Sequence, residues 1–538
     1  MNHSGNLGEY LRNQARKNPD KPVLIHPDKI TFSEFDKKVD QLAYGLADIG
    51  IKKGMKVILL ATTNAEFFIL VFALFRMGTV IVLIDPGVGQ KVMNTSLKNI
   101  KADAFIGIPK AHLFRMIHKK SFAGIKTNIT VGHKWFWGGH RLDHLYKNTN
   151  EPFEAEDTQP DDLGGIFFTS GSTGPPKGVM YLNRMFHAQI KLFADHYQWS
   201  SEEVDLCTFP LIGLFSICLG CTVVLADMNP VEPAQLDPAK VWANLKDFNC
   251  THMFASPMVI RKLNKYASEN SLKLDRIKRI VTAGAPVPVS LLESFKKHLP
   301  ENAKIHTPYG ATESLPVSDA EANDLIQLNK EISDPEGVCI GKPIGDNEVM
   351  IVPISEKPIT GWKSSDELQS NEIGEIAVNG PVVTESYYNK EANKTSKFQD
   401  EKGRKFHRMG DVGRIDENGL MWFYGRKNHR VVMENQTLFT IPVEAHFNKL
   451  PLVQRSALVG VPTGSANIST PVICLEPTRK LSKQEENDLL TQARQLSKNE
   501  TLISSVEHFL IHKNFPVDPR HNAKIFREKL QEWASSRI

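Results

Sequence analysis

One short segment, residues 167–178, constrains the fold of this 538-residue chain more than any other. It reads Phe-Phe-Thr-Ser-Gly-Ser-Thr-Gly-Pro-Pro-Lys-Gly, an apolar strand that runs into a loop of small hydroxyl residues and glycines. Such a loop exposes backbone N–H groups to an anion, and its glycines let it wrap closely around phosphate oxygens. Its lysine is followed by glycine, which a Walker A loop does not allow. The segment therefore predicts a phosphate-binding loop of another kind, the alternative being a flexible Ser/Gly turn.

The residues before this loop alternate between helical and strand-like patterns. Helices are predicted at 32–51 and 65–77, and apolar strands at 56–61 and 79–84. This alternation predicts a mostly parallel sheet covered by helices. A second alternating run extends from 166 to about 310, and β-rich hairpins are predicted at 371–388 and 408–424. After Gly425 the composition shifts, and strands at 456–460 and 471–476 with a helix at 482–498 predict a smaller α+β segment.

Composition excludes several classes of protein. The excess of 65 Lys and Arg over 61 Asp and Glu gives a net charge of only +4, which argues against nucleic acid as the main partner. Hydrophobic residues make up 41%, enough for a large core. Six cysteines are too few for a disulfide framework, so we expect reduced thiols and a buried pair at Cys218 and Cys221. The polar N-terminus lacks an apolar signal segment, and we expect a cytoplasmic protein.

The stretch 206–226 contains no charged residue and is long enough to span a bilayer. Pro210, Gly213 and Gly220 interrupt it, and it lacks a flanking Lys/Arg cluster. We therefore interpret it as a buried helix plus strand rather than a membrane span.

Further motifs follow the loop in a fixed order. They are Ala283-Gly284-Ala285-Pro286, Tyr309-Gly310-Ala311-Thr312-Glu313, Gly374-Glu375-Ile376 with Gly380, Gly410-Asp411, Gly425-Arg426, and Lys524 within residues 516–525. Taken alone, Glu313 could cap a surface helix, Asp411 could sit in a turn, and Lys524 could be a solvated lysine. Together and in this order, the motifs resemble those of the adenylate-forming superfamily, which includes acyl-CoA synthetases, peptide adenylation domains and luciferases.

The resemblance implies a role for each matching residue. It implies that the glycines and hydroxyls of the loop hold phosphate, that Tyr309 stacks on adenine, and that Glu313 ligates Mg²⁺. It implies that the carboxylate of Asp411 binds the ribose hydroxyls and that Lys524 contacts the substrate carboxylate and α-phosphate. The implied catalytic residues are Thr169, Lys177, Glu313 and Lys524; the implied nucleotide-binding residues are Ser170, Gly171, Ser172, Thr173, Gly174, Gly284, Ala285, Pro286, Tyr309, Gly310, Thr312, Asp411 and Arg426.

These residue types suit the implied reaction, in which a carboxylic acid and ATP give an acyl-adenylate and pyrophosphate. A carboxylate is a poor nucleophile toward an anionic triphosphate, so catalysis depends on positioning and on neutralising charge. The carboxylate of Glu313 is a hard oxygen ligand for Mg²⁺. Lys524 lies far along the chain from the other motifs, which fits delivery by a second domain. The prediction is an α/β fold: an AMP-binding domain of two sheet-and-helix lobes plus a β-rich part at 1–426, and a small mobile α+β domain at 427–538.

Several strings resemble the β-lactone synthetases of bacterial long-chain olefin biosynthesis more closely than acyl-CoA synthetases. They are residues 85–89, 137–139, 425–431, 441–445 and 515–524. That resemblance implies a 2-alkyl-3-hydroxy acid as substrate, whose hydroxyl displaces AMP, and other enzymes of the same pathway as partners.

Three departures from the general pattern of the superfamily also favour a β-lactone synthetase over an acyl-CoA synthetase. Residues 432–437 contain no glycine, the hinge residue is Asn428, and 209–215 contains no histidine. Thioester formation with CoA, transfer to a carrier protein, and binding of an adenylate without turnover remain alternatives. Apolar residues at 209–219 and 253–258 could line an acyl tunnel or belong to the core.

Overall fold

The computed structural model describes residues 5–84, 90–168, 177–332, 337–464, 468–517 and 525–538. The helices of these residues are α1 Gly8–Lys17, α2 Phe32–Asp48, α3 Ala65–Arg76, α4 Gln90–Ile100, α5 Pro109–Ile117, α6 Asn183–Asp195, α7 Pro210–Cys218, α8 Pro238–Asp247, α9 Pro257–Glu269, α10 Val289–Lys296, α11 Ala322–Glu331, α12 Lys390–Ser396, α13 Thr440–Phe447, α14 Lys483–Asn499 and α15 Arg527–Ser535.

The strands are β1 Pro22–Ile25, β2 Ile30–Thr31, β3 Lys56–Leu60, β4 Val80–Ile84, β5 Ala104–Gly107, β6 Thr127–Thr130, β7 His140–Arg141, β8 Leu163–Phe168, β9 Gly178–Leu182, β10 Val204–Cys207, β11 Thr222–Leu225, β12 His252–Ala255, β13 Arg279–Thr282, β14 Lys304–His306, β15 Tyr309–Ala311, β16 Ser314–Asp319, β17 Val338–Cys339, β18 Lys342–Pro343, β19 Glu348–Val352, β20 Gly374–Asn379, β21 Lys397–Gln399, β22 Lys405–Ile415, β23 Met421–Arg426, β24 Val431–Val432, β25 Thr437–Leu438, β26 Val453–Pro462, β27 Ser469–Pro477 and β28 His508–Ile511.

Two seven-stranded sheets form the frame of the large part. One has the order β14-β13-β12-β10-β11-β1-β2 and is parallel except for its last pair. The other has the order β7-β6-β5-β3-β4-β8-β9 and is parallel except for β8 and β9. Parallel strands need crossover connections, and α3 between β3 and β4 and α9 between β12 and β13 supply two of them. These are the two predicted sheet-and-helix lobes.

The helices begin where the sequence provides caps. The side chain of Thr31 accepts from the backbone N–H of Glu34 at the start of α2, and the Glu34 carboxylate accepts in return. Ser482 and Glu485 form the same reciprocal pair at the start of α14. Each pair satisfies N–H groups that a helix start leaves unbonded.

The third large sheet is antiparallel, has the order β17-β23-β22-β20-β19, and also holds β21. The predicted hairpin at 408–424 forms from β22 and β23. The predicted hairpin at 371–388 was wrong, because only β20 forms there and pairs with β19 and β22. The chain beyond β20 crosses to other sheets instead of returning, and makes bridges between Val383 and Ser314 and between Tyr387 and Val179.

The charge-free stretch 206–226 folds as the end of β10, helix α7 and strand β11. Ile212, Ile217 and Val223 are buried in it. Among the described residues, no helix is long and apolar enough to cross a bilayer. All six cysteines are buried and free, including Cys218 and Cys221. The interpretation as buried helix plus strand is confirmed.

Residues from 431 onward build two hydrophobic clusters that contain no buried residue of the large part. One packs α13 and α14 on β26–β28, with Phe447, Leu475 and Leu489 at its centre. The other packs α15 on the opposite face of the same sheet. The boundary predicted between 426 and 427 stays a prediction, and the side chains of Lys427 and Arg430 bond to Glu375 and Glu356 of the large part.

Candidate adenylate-forming active site

A cavity of about 950 Å³ lies where the large part meets residues 427–538. It is lined by every predicted site residue that the structure describes: Lys177, Gly284, Ala285, Pro286, Tyr309, Gly310, Thr312, Glu313, Asp411 and Arg426. Thr169, Ser170, Gly171, Ser172, Thr173, Gly174 and Lys524 lie outside the described residues, as do residues 85–89. The strand before the loop, β8, and the strand after it, β9, are adjacent in one sheet.

Small residues form one side of the cavity. Gly284, Ala285 and Pro286 follow the buried strand β13, and Gly284 has a φ of +99°, a conformation that favours glycine. On β15, a Cβ atom on Gly310 would lie 2.6 Å from the carbonyl oxygen of Ser314, so only glycine fits this pairing. A flat, side-chain-poor wall of this kind leaves room for a planar ring.

The second side carries a bonded set made of Tyr309, Asp411 and Arg426. The Tyr309 hydroxyl donates to Asp411 Oδ2 at 2.7 Å, and Arg426 Nη1 lies 3.0 Å from Asp411 Oδ1. Burial raises the pKa of Asp411, against the opposing effect of Arg426 and the Tyr309 hydroxyl. Asp411 pairs with Arg426 across the hairpin of β22 and β23, which fixes both side chains.

Glu313 is held by contacts from a different part of the chain. The Tyr387 hydroxyl donates to Glu313 Oε1 at 2.6 Å, and the Glu313 carbonyl accepts from the backbone N–H of Thr384 at 2.8 Å. Lys177 Nζ lies 5.1 Å from the centre of the Tyr387 ring, a cation–π distance. Burial raises the pKa of Tyr387, and the Glu313 carboxylate adds to the effect. The carboxylate therefore keeps one oxygen toward Tyr387 and lies near a lysine.

Two residues near Glu313, Tyr387 and Lys397, were not predicted from the sequence. Tyr387 lies in a segment that looked like part of a hairpin, and no local signal marks it. Lys397, at the start of β21, places its Nζ 5.9 Å from the centre of the Tyr387 ring and donates to the Thr384 carbonyl. Burial lowers the pKa of Lys397 to about 7, while Glu313 opposes that change. Only the folded chain brings these groups to Glu313.

A buried ion cluster underlies the junction with residues 427–538. Glu375 Oε2, from the Gly374-Glu375 motif, accepts from Arg408 Nε at 2.9 Å and from Lys427 Nζ at 3.3 Å. Lys427 also donates to the Ser355 carbonyl at 3.0 Å. Since all three charged side chains are buried, the cluster fixes the start of the C-terminal segment to β20 and β22.

The C-terminal segment supplies the remaining wall. Its lining residues are Lys427, Asn428, His429, Thr440, Ile441, Ala445, Ile525 and Arg527. The guanidinium of Arg527 donates from Nη1 to Glu444 Oε1 at 2.5 Å and from Nη2 to Oε2 at 2.9 Å. Burial raises the pKa of Glu444, against the effect of Arg527. This wall therefore combines polar and apolar side chains, and its arginine, Arg527, is already paired.

The apolar stretches proposed for an acyl tunnel do not line this cavity. None of its lining residues comes from 209–219 or 253–258. Ile212, Leu214, Ile217 and Met253 are buried in the hydrophobic clusters of the large part. These described side chains serve as core.

Comparison with known proteins identifies the class. The profile described as "AMP-binding enzyme" matches residues 11–388. The chain belongs to this AMP-binding enzyme family, and it is an ATP-dependent adenylate-forming ligase.

Two curated relatives and one solved structure narrow the comparison. The chain is 38% identical to an olefin β-lactone synthetase of Stenotrophomonas maltophilia (strain K279a), with 100% of this chain and 99% of the relative covered. It is 37% identical to an olefin β-lactone synthetase of Xanthomonas campestris pv. campestris, covering 98% and 97%. Its fold is similar to that of O-succinylbenzoate coenzyme A synthetase from Bacillus subtilis in complex with ATP and magnesium ion. That match has a TM-score of 0.76 and 21% identity, covering 97% of this chain and 99% of the other.

Proposed function

We propose that the protein activates a 2-alkyl-3-hydroxy carboxylic acid with ATP and then closes it to a β-lactone. The observation that carries the proposal is the single cavity lined by Lys177, Tyr309, Glu313, Asp411 and Arg426. The two relatives named olefin β-lactone synthetase, similar over nearly the full chain, support the second step.

The residues of the cavity fit ATP. The wall of Gly284, Ala285 and Pro286 and the ring of Tyr309 suit the two faces of adenine. The Asp411 carboxylate accepts hydrogen bonds from ribose hydroxyls, and Arg426 beside it carries positive charge toward the phosphates. Lys177 adds a second cation, and the loop 169–174 before it completes the phosphate site in this proposal.

The donor set also fits Mg²⁺. Glu313 is a hard oxygen ligand at the cavity, and Tyr387 orients it. When bound, Mg²⁺ supplies positive charge to the phosphate oxygens. Tyr387 holds Oε1 of Glu313, a residue that lines the cavity.

In the first step, a carboxylate oxygen of the substrate attacks the α-phosphorus of ATP. A new O–P bond forms, the bond to the β-phosphate bridge oxygen breaks, and pyrophosphate leaves. Lys177 and Arg426 face the charge that develops on the phosphate, and we propose that Lys524 joins them. Ile525, its neighbour in sequence, lines the cavity.

In the second step, the 3-hydroxyl oxygen attacks the acyl carbon of the adenylate. The bond between that carbon and the phosphate oxygen breaks, AMP leaves, and the hydroxyl proton passes to solvent. The nucleophile belongs to the substrate itself, so closure gains the advantage of a held reactant and needs no second substrate.

Thioester formation with CoA is the second candidate, because the compared solved structure is a coenzyme A synthetase. Against it, residues 432–437 lack glycine and form a tight hairpin between β24 and β25, closed by a bond from Met433 N–H to the Gln436 carbonyl at 2.8 Å. Glu434, Asn435 and Gln436 carry exposed side chains on this turn. A glycine-free turn of this kind does not favour a pantetheine passage at that position.

The deciding experiment is product analysis with ATP, Mg²⁺ and a 2-alkyl-3-hydroxy acid, with and without CoA. We expect one lactone and one AMP per pyrophosphate released, and no change when CoA is added. A plain fatty acid is the matched substrate control and should stop at the adenylate. CoA-dependent thioester formation from the plain acid, at the rate of pyrophosphate release, would establish an acyl-CoA synthetase instead.

A further inference from the structure

One segment of the large part has a charge unlike the rest of the chain. Residues 104–142 contain seven Lys and Arg and no Asp or Glu, whereas the whole chain has a net charge of only +4. They form β5, α5, β6 and β7, at one edge of the second seven-stranded sheet. None of the residues that line the active-site cavity belongs to this segment.

The same segment holds the three most exposed large hydrophobic side chains among the described residues. Ile117 is 77% exposed, Phe136 74% and Trp135 53%. Ile117 ends α5, and the two aromatic residues lie in the loop 132–139. We call Ile117, Trp135 and Phe136 the apolar tip. Exposed apolar side chains that are concentrated in one region are a feature of interaction sites on soluble domains.

The loop of the apolar tip is anchored rather than loose. Trp137 is buried between its exposed neighbours, stacks on His112 of α5 at 5.2 Å, and donates from Nε1 to Thr130 Oγ1 at 2.9 Å. Lys134 Nζ donates to the Gly139 carbonyl at 2.6 Å. A Cβ on Gly139 would lie 2.3 Å from the Asn128 carbonyl oxygen, so the loop fits closely against β6. This anchoring holds Trp135 and Phe136 outward at little further entropic cost.

Four exposed lysines lie in the same segment as the apolar tip. Lys119 and Lys120 lie two and three residues after Ile117, Lys110 lies in the first turn of α5, and Lys126 directly precedes β6. Within the described parts of the chain, no ion pair involves any of these four lysines. Their charge is therefore directed to solvent and available to an anionic surface.

We propose that the apolar tip and its lysines dock the protein on an anionic lipid surface. Tryptophan and other aromatic residues favour the headgroup boundary, where an apolar ring can enter while polar groups stay hydrated. Lysines near such a surface are attracted by its negative potential. Protein–protein interfaces are instead depleted in lysine, which favours lipid over a protein partner. Docking there leaves the active-site cavity uncovered.

The test is co-sedimentation of the full chain with vesicles of equal parts phosphatidylcholine and phosphatidylglycerol. Pure phosphatidylcholine vesicles are the lipid control. We expect binding to the anionic vesicles, weakened by salt because the charge attraction is screened. Replacing all four lysines (Lys110→Gln, Lys119→Gln, Lys120→Gln, Lys126→Gln) should weaken binding by about fivefold per lysine. The matched control is Lys297→Gln with Lys402→Gln, two exposed lysines elsewhere, and it should bind as the parent does.

A second variant tests the apolar contribution. Ile117→Ser, Trp135→Ser and Phe136→Ser together should lower vesicle binding at least about tenfold, while Val231→Ser with Leu502→Ser should not change it. Pyrophosphate release with a water-soluble acid should be unchanged in all variants, which shows that they are folded.

Two results would overturn the proposal. One comes from the vesicle experiment: the chain binds anionic vesicles no more strongly than neutral ones, or the tip variant binds them as strongly as the parent does. The other is a solution mass, from light scattering, of a dimer that the tip variant converts to monomer, which would assign this face to a second copy of the chain.

Discussion

The two walls of the active-site cavity differ in how their polar groups are held. On the large part, Tyr309, Asp411 and Arg426 bond to one another and Glu313 bonds to Tyr387, with their functional atoms at the cavity. On the C-terminal segment, the two charged lining residues are already paired, Arg527 with Glu444 of its own unit and Lys427 with Glu375 of the large part. Ile441, Ala445 and Ile525 add apolar surface to this wall.

This difference between the walls suggests that the large part binds ATP and that the C-terminal segment acts on the rate of the reaction. A nucleotide meets a preformed polar wall on the large part, so its binding free energy should come mainly from there. The C-terminal segment has its own hydrophobic clusters, and we propose that it moves as a unit. We therefore expect that segment to affect the rate of adenylation more than the affinity for ATP.

The largest expected effect tests this separation at Lys524. Lys524→Ala should slow pyrophosphate release by about a hundredfold or more, since one preorganised charge on a developing oxyanion is commonly worth that much. ATP affinity, measured by calorimetry on the same variant, should stay within about threefold, because a rate-specific contact adds little to ground-state binding.

The complementary variant is Asp411→Asn, which changes the wall formed by the large part. It removes the charge that pairs with Arg426 while keeping the shape of the side chain. We expect the Kd for ATP to rise at least about tenfold, because a charge-assisted contact is lost. If Lys524→Ala abolished ATP binding and Asp411→Asn did not weaken it, the assignment of the two walls would be reversed.

A smaller effect is expected from the hydroxyl that orients Glu313. Tyr387→Phe should raise the Mg²⁺ concentration that gives half-maximal activity by about tenfold, the usual scale for losing a group that orients a metal ligand. Excess Mg²⁺ should restore most of the rate.

Tyr388→Phe is the matched control. Tyr388 donates to the Ile100 carbonyl at 3.1 Å, away from Glu313, so its loss should leave the Mg²⁺ dependence unchanged. An equal loss of activity in both variants, without a shift in Mg²⁺ dependence, would reduce Tyr387 to a packing role.

The same comparison explains what could be read from the sequence. Motifs that lie at strand ends, such as Gly284 after β13 and Asp411 in β22, were predictable because local patterns mark both the strand and the motif. The two lobes followed from the alternation of helices and strands. The first and last residues of α2, α3, β3 and β4 lie within a few residues of the predicted boundaries.

Tyr387, Lys397 and the Glu375–Arg408–Lys427 cluster could not be predicted from the sequence. Each acts through a partner that is distant in sequence, and the fold alone brings them together. The false hairpin at 371–388 has the same cause, because residues beyond β20 bond to strands of other sheets. The periodicity of apolar residues within a segment does not indicate which distant segments will contact it.

The smallest expected effect concerns Lys397, which lies beside the Tyr387 ring on the large part. Burial lowers its pKa from 10.5 to about 7, so above pH 7 the folded protein has released a proton that the unfolded chain still binds. The unfolding free energy should therefore rise with pH between about 7 and 10 and level off beyond. Lys397→Met should flatten that rise, as measured by urea unfolding at several pH values. Lys402→Met, at an exposed lysine of the same region, should keep the slope of the parent. If Lys397→Met kept the parent's slope as well, Lys397 would be charged throughout this range and would act as a permanent cation beside Tyr387 and Glu313.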